Sequence, residues 1–294
     1  MKLISAVVLS VLLAVAPAYP ETFPSQSKNE TTSSLGIVRI QVVRKFAKLF
    51  EGCQGYDAGT RKFTSPVALY DPATEISLSA ALVEKDLPGR PDPTTMSDQL
   101  TLPFGFADPP DNNREVHTEI TSLKMVGGGL TIRAGRWYDG AGISLPAEHW
   151  RSRGEIFSDA KAGQIGKPEY DFPARSFFNV FVNIDIARCG HLPAATTTLY
   201  NKLPLIVSAD KLLGLPPNVI YEHDTSSAVA IYLKEQRPVV ELPGRRWKHQ
   251  DELVGYLLLA GHGVGQDGVN SAQNQQKLKD QVLGRPEAQP PCDQ

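Results

Sequence analysis

From Ile76 onward, apolar residues recur at every second position. Ile76, Leu78, Ala80 and Leu82 alternate with smaller or polar neighbours, and Leu100, Leu102, Phe104 and Phe106 do the same. A period of two is that of a strand with one buried face. Residues 119–126 and 130–136 flank Gly127, Gly128 and Gly129, which predicts two strands joined by a glycine turn. The clearest strand is SFFNVFVNIDI. Phe178, Val180, Val182, Ile184 and Ile186 form one apolar face, while Phe177 and Phe181 lie on the other, which turns polar at Asn183 and Asp185. Such a strand is covered on one side throughout and partly on the other, as a central strand would be. Further strands are expected at 203–209, 228–234, 239–242 and 253–260, with prolines at their borders.

Two stretches do not follow this rhythm. Between Ile37 and Phe50, the spacing of Val38, Ile40 and Val42 fits a strand, whereas that of Val43, Phe46, Ala47 and Phe50 fits a helix. Near the C-terminus, 274–282 predicts a short exposed helix with only Leu278, Val282 and Leu283 to pack. No regular set of helices separates the strands, so the pattern argues for an all-β chain and against alternating α/β. The expected architecture is an antiparallel β-sandwich, or two, with a short C-terminal helix and a disordered Pro-rich end. The echo between LYDPATEISLSA at 69–80 and LYNKLPLIVSA at 199–209 leaves room for two related β-units. The expected organisation is a signal peptide at 1–18, a flexible leader at 19–35, β-units at 36–140 and 141–269, and a polar tail at 270–294.

The N-terminus sets the compartment. Lys2 precedes an apolar run from Ile4 to Ala16, and Ala16-Pro17-Ala18 follows. This is the layout of a secretory signal, and the run is short of the ~20 residues needed to span a bilayer. The mature chain should begin near Tyr19 and be secreted, with no membrane span. A formal charge of −2 offers no basic surface for nucleic acid. An oxidising compartment permits a disulfide among the three cysteines. Cys53–Cys189 is the favoured pair because Cys292 sits in the Pro-rich tail. Asn29-Glu30-Thr31 is a glycosylation sequon, which makes Asn29 the expected attachment site.

Candidate chemistry is sparse. GHGVGQDG at 261–268 spells GxGxxG, but no second strand follows it, so a glycine-rich exit from the last strand explains it better than a dinucleotide turn. His262 in that stretch could be a ligand or a base. The six histidines show no metal-ligand spacing, and neither G-x-S-x-G nor C-x-x-C occurs. DPPDNNRE clusters Asp108, Asp111, Asn112, Asn113 and Glu115, which suits an ordinary turn better than a calcium loop. EHDTSS at 222–227 reads as a polar turn, because triads are built in space and not from sequence neighbours. In GRRWKH, Arg245, Arg246 and Trp247 could stack on a sugar ring or pair with an anionic polymer. No catalytic residue, metal or cofactor is expected.

DFPARSFFNVFVNIDI, with TTTLYNKLPLIVSADKLLGLPPNVIY and the AVAIYL strand after it, resembles a β-rich module of unknown function in large secreted bacterial surface proteins. The resemblance covers roughly 119–263. It implies an extracellular β-rich module and carries over no activity. Arg175 departs from the module's usual small or acidic residue. Taken with the secretory signal, this gives the functional expectation of a secreted, non-enzymatic component of extracellular matrix or surface material, a mineralised skeletal matrix being one such setting. Its partners would be other matrix components or polysaccharide. A carbohydrate- or polyanion-binding module and a secreted hydrolase are the rivals.

Overall fold

The computed structural model describes residues 21–64, 69–78, 82–83, 100–107, 109, 112–138, 150–192, 194–215, 217–234, 252–263 and 272–291. Outside them lie the expected signal peptide, Asp108, Asp111, Arg245, Arg246, Trp247, Cys292 and the strand expected at 239–242. The described strands are β1 (Lys28–Val42), β2 (Tyr56–Asp57), β3 (Lys62–Thr64), β4 (Leu69–Leu78), β5 (Leu82–Val83), β6 (Arg114–Gly127), β7 (Leu130–Gly135) and β8 (Arg153–Ser158). They continue with β9 (Ala174–Val180), β10 (Val182–Ala187), β11 (Thr196–Asn201), β12 (Leu205–Leu212), β13 (Ile220–His223), β14 (Val229–Leu233) and β15 (Leu253–Gly263), and one helix, α1 (Ala272–Leu283), follows.

The strands form one antiparallel sheet that returns on itself. β1 pairs with β4, β4 with β6, and β6 with both β7 and β8. β7 and β8 pair with β10 and β9, which pair with β11 and β12, and these with β14 and β13. β13 and β14 both pair with β15, and β15 closes on β1 from Leu35↔Gly263 to Val42↔Gly255. The pairs β7/β8, β9/β10, β11/β12 and β13/β14 are halves of four long interrupted strands. With β1, β4, β6 and β15 they make an eight-stranded up-and-down barrel. The expected all-β antiparallel chain is what the structure has. Its two apolar layers are opposite walls of one rolled sheet, and strands from 36–140 and 141–269 complete a single ring.

Alternation explains the rolling. Inward residues of eight strands enclose a width that side chains themselves fill. Val38, Ile40, Val42, Ile76, Leu78, Ile132, Ala134, Phe178, Val180, Val182, Ile184, Ile186, Val207 and Leu257 belong to one buried core. Gly128 and Gly129 both have positive φ (57° and 78°), as a two-residue hairpin turn between β6 and β7 requires. The outward side chains of β6, β7 and β10 include Lys124, Arg133 and Asp185, with Arg133 Nε 2.8 Å from Asp185. A charged outer row is the opposite of the apolar band on a membrane-spanning barrel. No described helix is long and apolar enough to cross a membrane.

Both ends of the barrel are plugged. At one end, a 3-10 helix at Arg44–Phe50 turns Phe46 and Phe50 into the core, and Phe50 meets Phe63 edge-on at 5.4 Å. The ambiguous 37–50 stretch is thus both things in turn, strand through Val42 and helix after Val43. Cys53 is bonded to Cys189 there, tying this cap to the β10–β11 connection across a sequence separation of 136. In the chain-entropy account, a loop of that order is worth about 5 kcal/mol. At the other end, Phe23 packs on Phe172 and donates its amide to the buried carboxylate of Asp171 (2.7 Å), which Arg114 pairs at 2.6 Å.

Three segments depart from expectation. Residues 28–35, expected as leader, form the first half of β1, because β4 offers them a ladder from Lys28↔Leu78 to Leu35↔Tyr70. Residues 100–106 alternate like a strand yet run as a loop over the outer face of β8 and β9. There Phe106 meets Phe157 and Phe177, and Thr101 exchanges hydrogen bonds with the Asn179 side chain. The Pro-rich end is docked through residue 291. Glu287 accepts from Lys62 (2.6 Å) and pairs with Arg39, and the Ala288 amide donates to the Leu258 carbonyl. Burial works to raise the Glu287 carboxyl pKa, but the bonds from Lys62 and Arg39 outweigh it and hold it below the usual range.

The expected helix is present as α1. Leu278 and Val282 lie on Leu35, Ile37, Ile220 and Leu259, the outward apolar residues beside the β1/β15 seam. A Cβ on Gly261 would come within 2.2 Å of Val282, so this glycine is what lets the helix sit down on the strand. Gly263 (φ +147°) has the Val219 carbonyl against it for the same steric reason. The first glycines of GHGVGQDG therefore serve packing in and beside the last strand.

Candidate functional site

Size separates the space inside the barrel from the one on its outside. Inside the barrel, a void of about 50 Å³ is lined almost wholly by apolar side chains, among them Met125, Phe178, Leu205 and Leu257. Small-molecule clefts typically measure ~300–1,000 Å³. The lumen is thus a core with a small gap. Outside, a groove of about 720 Å³ runs between the 100–107 loop, the outward faces of β12 and β13, and α1.

The lumen does hold polar groups. Tyr221 donates its hydroxyl to Ser176 (3.0 Å), and burial pushes the phenol's pKa up. His223 is 1% exposed, and burial pushes its pKa down to about 4, against weaker opposing effects from Asp224 and the Leu258 carbonyl. His262 projects among the void-lining residues between Gly36 and Tyr221 of the flanking strands. Burial pushes its pKa down to about 4 as well, and its Nε2 has no hydrogen-bond partner. Both rings are therefore neutral near pH 7; His262 lines the internal void, whereas His223 lies under the groove as one of its lining residues. His262 fronts the lumen, which neither of its expected roles, ligand or base, had located.

The groove is built by a turn and a clamp. Phe106 donates its amide to the Pro103 carbonyl (3.0 Å), and Gly105 has φ +85°. This is a type II turn, in which position i+2 needs a positive φ and position i+1 stands at the outer corner. Phe104 holds that corner and is 84% exposed. Its amide donates to Asp224 (2.6 Å), whose other oxygen accepts from the Ser226 amide (3.0 Å). Burial tends to raise the Asp224 carboxyl pKa, but the hydrogen bonds from Phe104 and Ser226 prevail and hold it below the usual range. EHDTSS is thus the end of β13 and a polar turn, and that turn pins the loop opposite it.

The charges of the groove balance. Asp210, Glu222 and Asp224 face Lys211, Lys277 and Arg285. Glu222 is committed to Arg285 and Gln281 of the C-terminal segment. Two of the three acids are therefore engaged in holding the groove's walls. EHDTSS, read from the sequence as a polar turn, supplies five of the lining residues, from Glu222 to Ser226, but their assembly with the Phe104 turn and the helix was not legible because these lie far apart in the chain. The other local signal was Pro103-Phe104-Gly105, a turn tripeptide within an apparently alternating run.

Of the residues singled out beforehand, Cys53 and Cys189 are brought together as a disulfide with Cα atoms 4.9 Å apart. Asn29 is exposed at the start of β1, opposite Ser77. Asn112 has φ 61° and Asn113 donates to the Ser158 carbonyl, as turn residues do. Glu115 is buried, 3.0 Å from His117 on the same strand. These last residues do not join the groove.

The fold and groove define a class: a closed antiparallel barrel with a filled lumen, plugged ends and an outer cleft. No protein-family model matches the chain, and no curated protein does. Among solved structures it is similar to DynF from the dynemicin biosynthesis pathway of Micromonospora chersina. The TM-score is 0.47 at 16% identity, covering 92% of this chain and 95% of that one. A likeness of that strength carries no argument about what this chain does.

Proposed function

We propose that this chain is a secreted, non-enzymatic component of extracellular matrix or surface material that acts through its outer face. The observation that supports this most is the contrast between the 50 Å³ lumen and the 720 Å³ external groove. The Cys53–Cys189 bond suits an oxidising compartment. Asn29 is exposed, so a glycan there needs no rearrangement of the strand.

The hydrolase reading draws some support from three carboxylates sharing one groove. A general acid at neutral pH needs a raised pKa. Asp224 is held below the usual range, and Glu222 is paired with Arg285. That leaves Asp210 without a partner carboxyl free for acid–base work, which favours binding over bond breaking.

The test is expression of the whole chain in a eukaryotic secretory host. The expected product is recovered from the medium, starts near Tyr19, has Cys53 and Cys189 oxidised, and turns over neither ester nor glycoside substrates. Retention inside the cell with the first residues attached would remove the extracellular reading. Hydrolysis abolished by Asp210→Asn would replace the non-enzymatic one.

A further inference from the structure

We infer that the outer groove is a subsite for a neutral saccharide chain, with Phe104 as its stacking platform. This rests on the reading that the protein acts through its outer face. Three observations point to this ligand.

The first is the cost of the aromatic's position. Burying a Phe side chain is among the larger stabilising contributions that one residue makes. The same loop buries much of Phe106 against Phe157 and Phe177, with the Arg175 guanidinium over its ring at 5.8 Å. Two residues earlier it holds Phe104 out at 84% exposure. The ring's position is constructed, since the Pro103–Phe106 turn puts it at the corner and Asp224 fixes its amide. An aromatic face carries negative charge density that attracts the slightly positive C–H groups of a pyranose ring.

The second is the composition of the walls. Hydroxyl-rich ligands need donors and acceptors at close intervals, and Asp210, Lys211, Asn218, Thr225, Ser226 and Lys277 supply both within one groove. The third is the charge balance. Three acids face three bases, so no net field draws in a polyanion or a polycation. Of the two classes that an aromatic with polar neighbours could serve, neutral glycan and anionic polymer, the balance selects the first.

The test is affinity electrophoresis of the disulfide-bonded protein through gels carrying hydroxyethylcellulose, laminarin, xylan or galactomannan, with heparin and alginate as polyanions. At least one neutral polysaccharide should retard the protein. The retardation should persist at about 1 M salt, where exposed charges are screened within ~3 Å. Phe104→Ala should weaken it at least tenfold. Asp210→Ala, a change at a second exposed residue, should weaken it severalfold. Neither side chain is buried, so unfolding midpoints should match wild type. No retardation by any neutral polysaccharide, retardation by polyanions alone, or equal retardation of Phe104→Ala would each overturn the inference. The extracellular reading is judged separately by the chain's destination, so an exported protein that ignores neutral glycans would sink this inference alone.

Discussion

Asn201 shows how much one side chain can hold. The barrel's long strands are interrupted at a common level, and at Phe181 the β9–β10 strand loses its regular ladder. Asn201 stands in for the missing rung. Its Oδ1 accepts from the Val182 amide (2.7 Å), and its Nδ2 donates to the carbonyls of Val180 (2.9 Å) and Leu203 (2.8 Å). Ser152 serves Phe181 in the same way, accepting its amide at 3.1 Å. Asn201→Ala leaves a buried amide and carbonyl unpaired and should cost about 3 kcal/mol, read as a lower denaturant midpoint with unchanged slope. His223 and His262 make a second residue-scale prediction. Both have folded pKa values near 4, below the unfolded value of about 6.5. Between those limits the unfolded chain binds more protons than the native one, so stability is full above pH 6.5 and falls as pH drops toward 4. Each contributes up to about 3 kcal/mol to that fall. Denaturant midpoints at pH 7 and pH 4.5 measure it, and His223→Phe should flatten the slope. An equal slope in that variant would assign the loss to other groups.

At the scale of elements, the sequence was legible wherever one face was decided by burial alone. SFFNVFVNIDI reads as a covered strand because its inward residues meet the core and Phe177, Asn179 and Phe181 meet loops or side chains outside. The 274–282 helix is legible from Leu278, Val282 and Leu283, and these are the residues that touch the barrel. The glycines after 260 were legible as a strand exit, but their purpose was not, since Val282 and Val219 reach them only in the fold. This gives a prediction at the same scale. Gly261→Val places a side chain where Val282 packs and should cost about 1–3 kcal/mol. It should also loosen α1 and the end it carries, so limited proteolysis should clip 272–291 first while the barrel survives. Loss of the whole barrel signal together with the helix would mean that α1 is part of the closing seam instead of a cover on it.

For the whole molecule, alternation could announce two apolar layers but not whether they were separate sheets or one sheet rolled shut. Closure depends on β1 meeting β15, a pairing over more than two hundred residues of chain that no local pattern encodes. The same long-range assembly hid the candidate site, whose walls come from Pro103–Phe106, β12–β13 and α1. The loop expected to bind, Arg245-Arg246-Trp247, lies outside the described residues, and among the described residues Phe104 is the most exposed aromatic. The central claim is that the barrel is a filled scaffold and that recognition takes place on its outside. Nuclear magnetic resonance mapping with a neutral oligosaccharide tests this most directly. The account predicts shifts concentrated at Phe104, Asp210, Lys211, Asn218 and Ser226, with Val182, Ile184 and Leu257 unmoved. Shifts centred on those three lumen residues, with Phe104 silent, would contradict it.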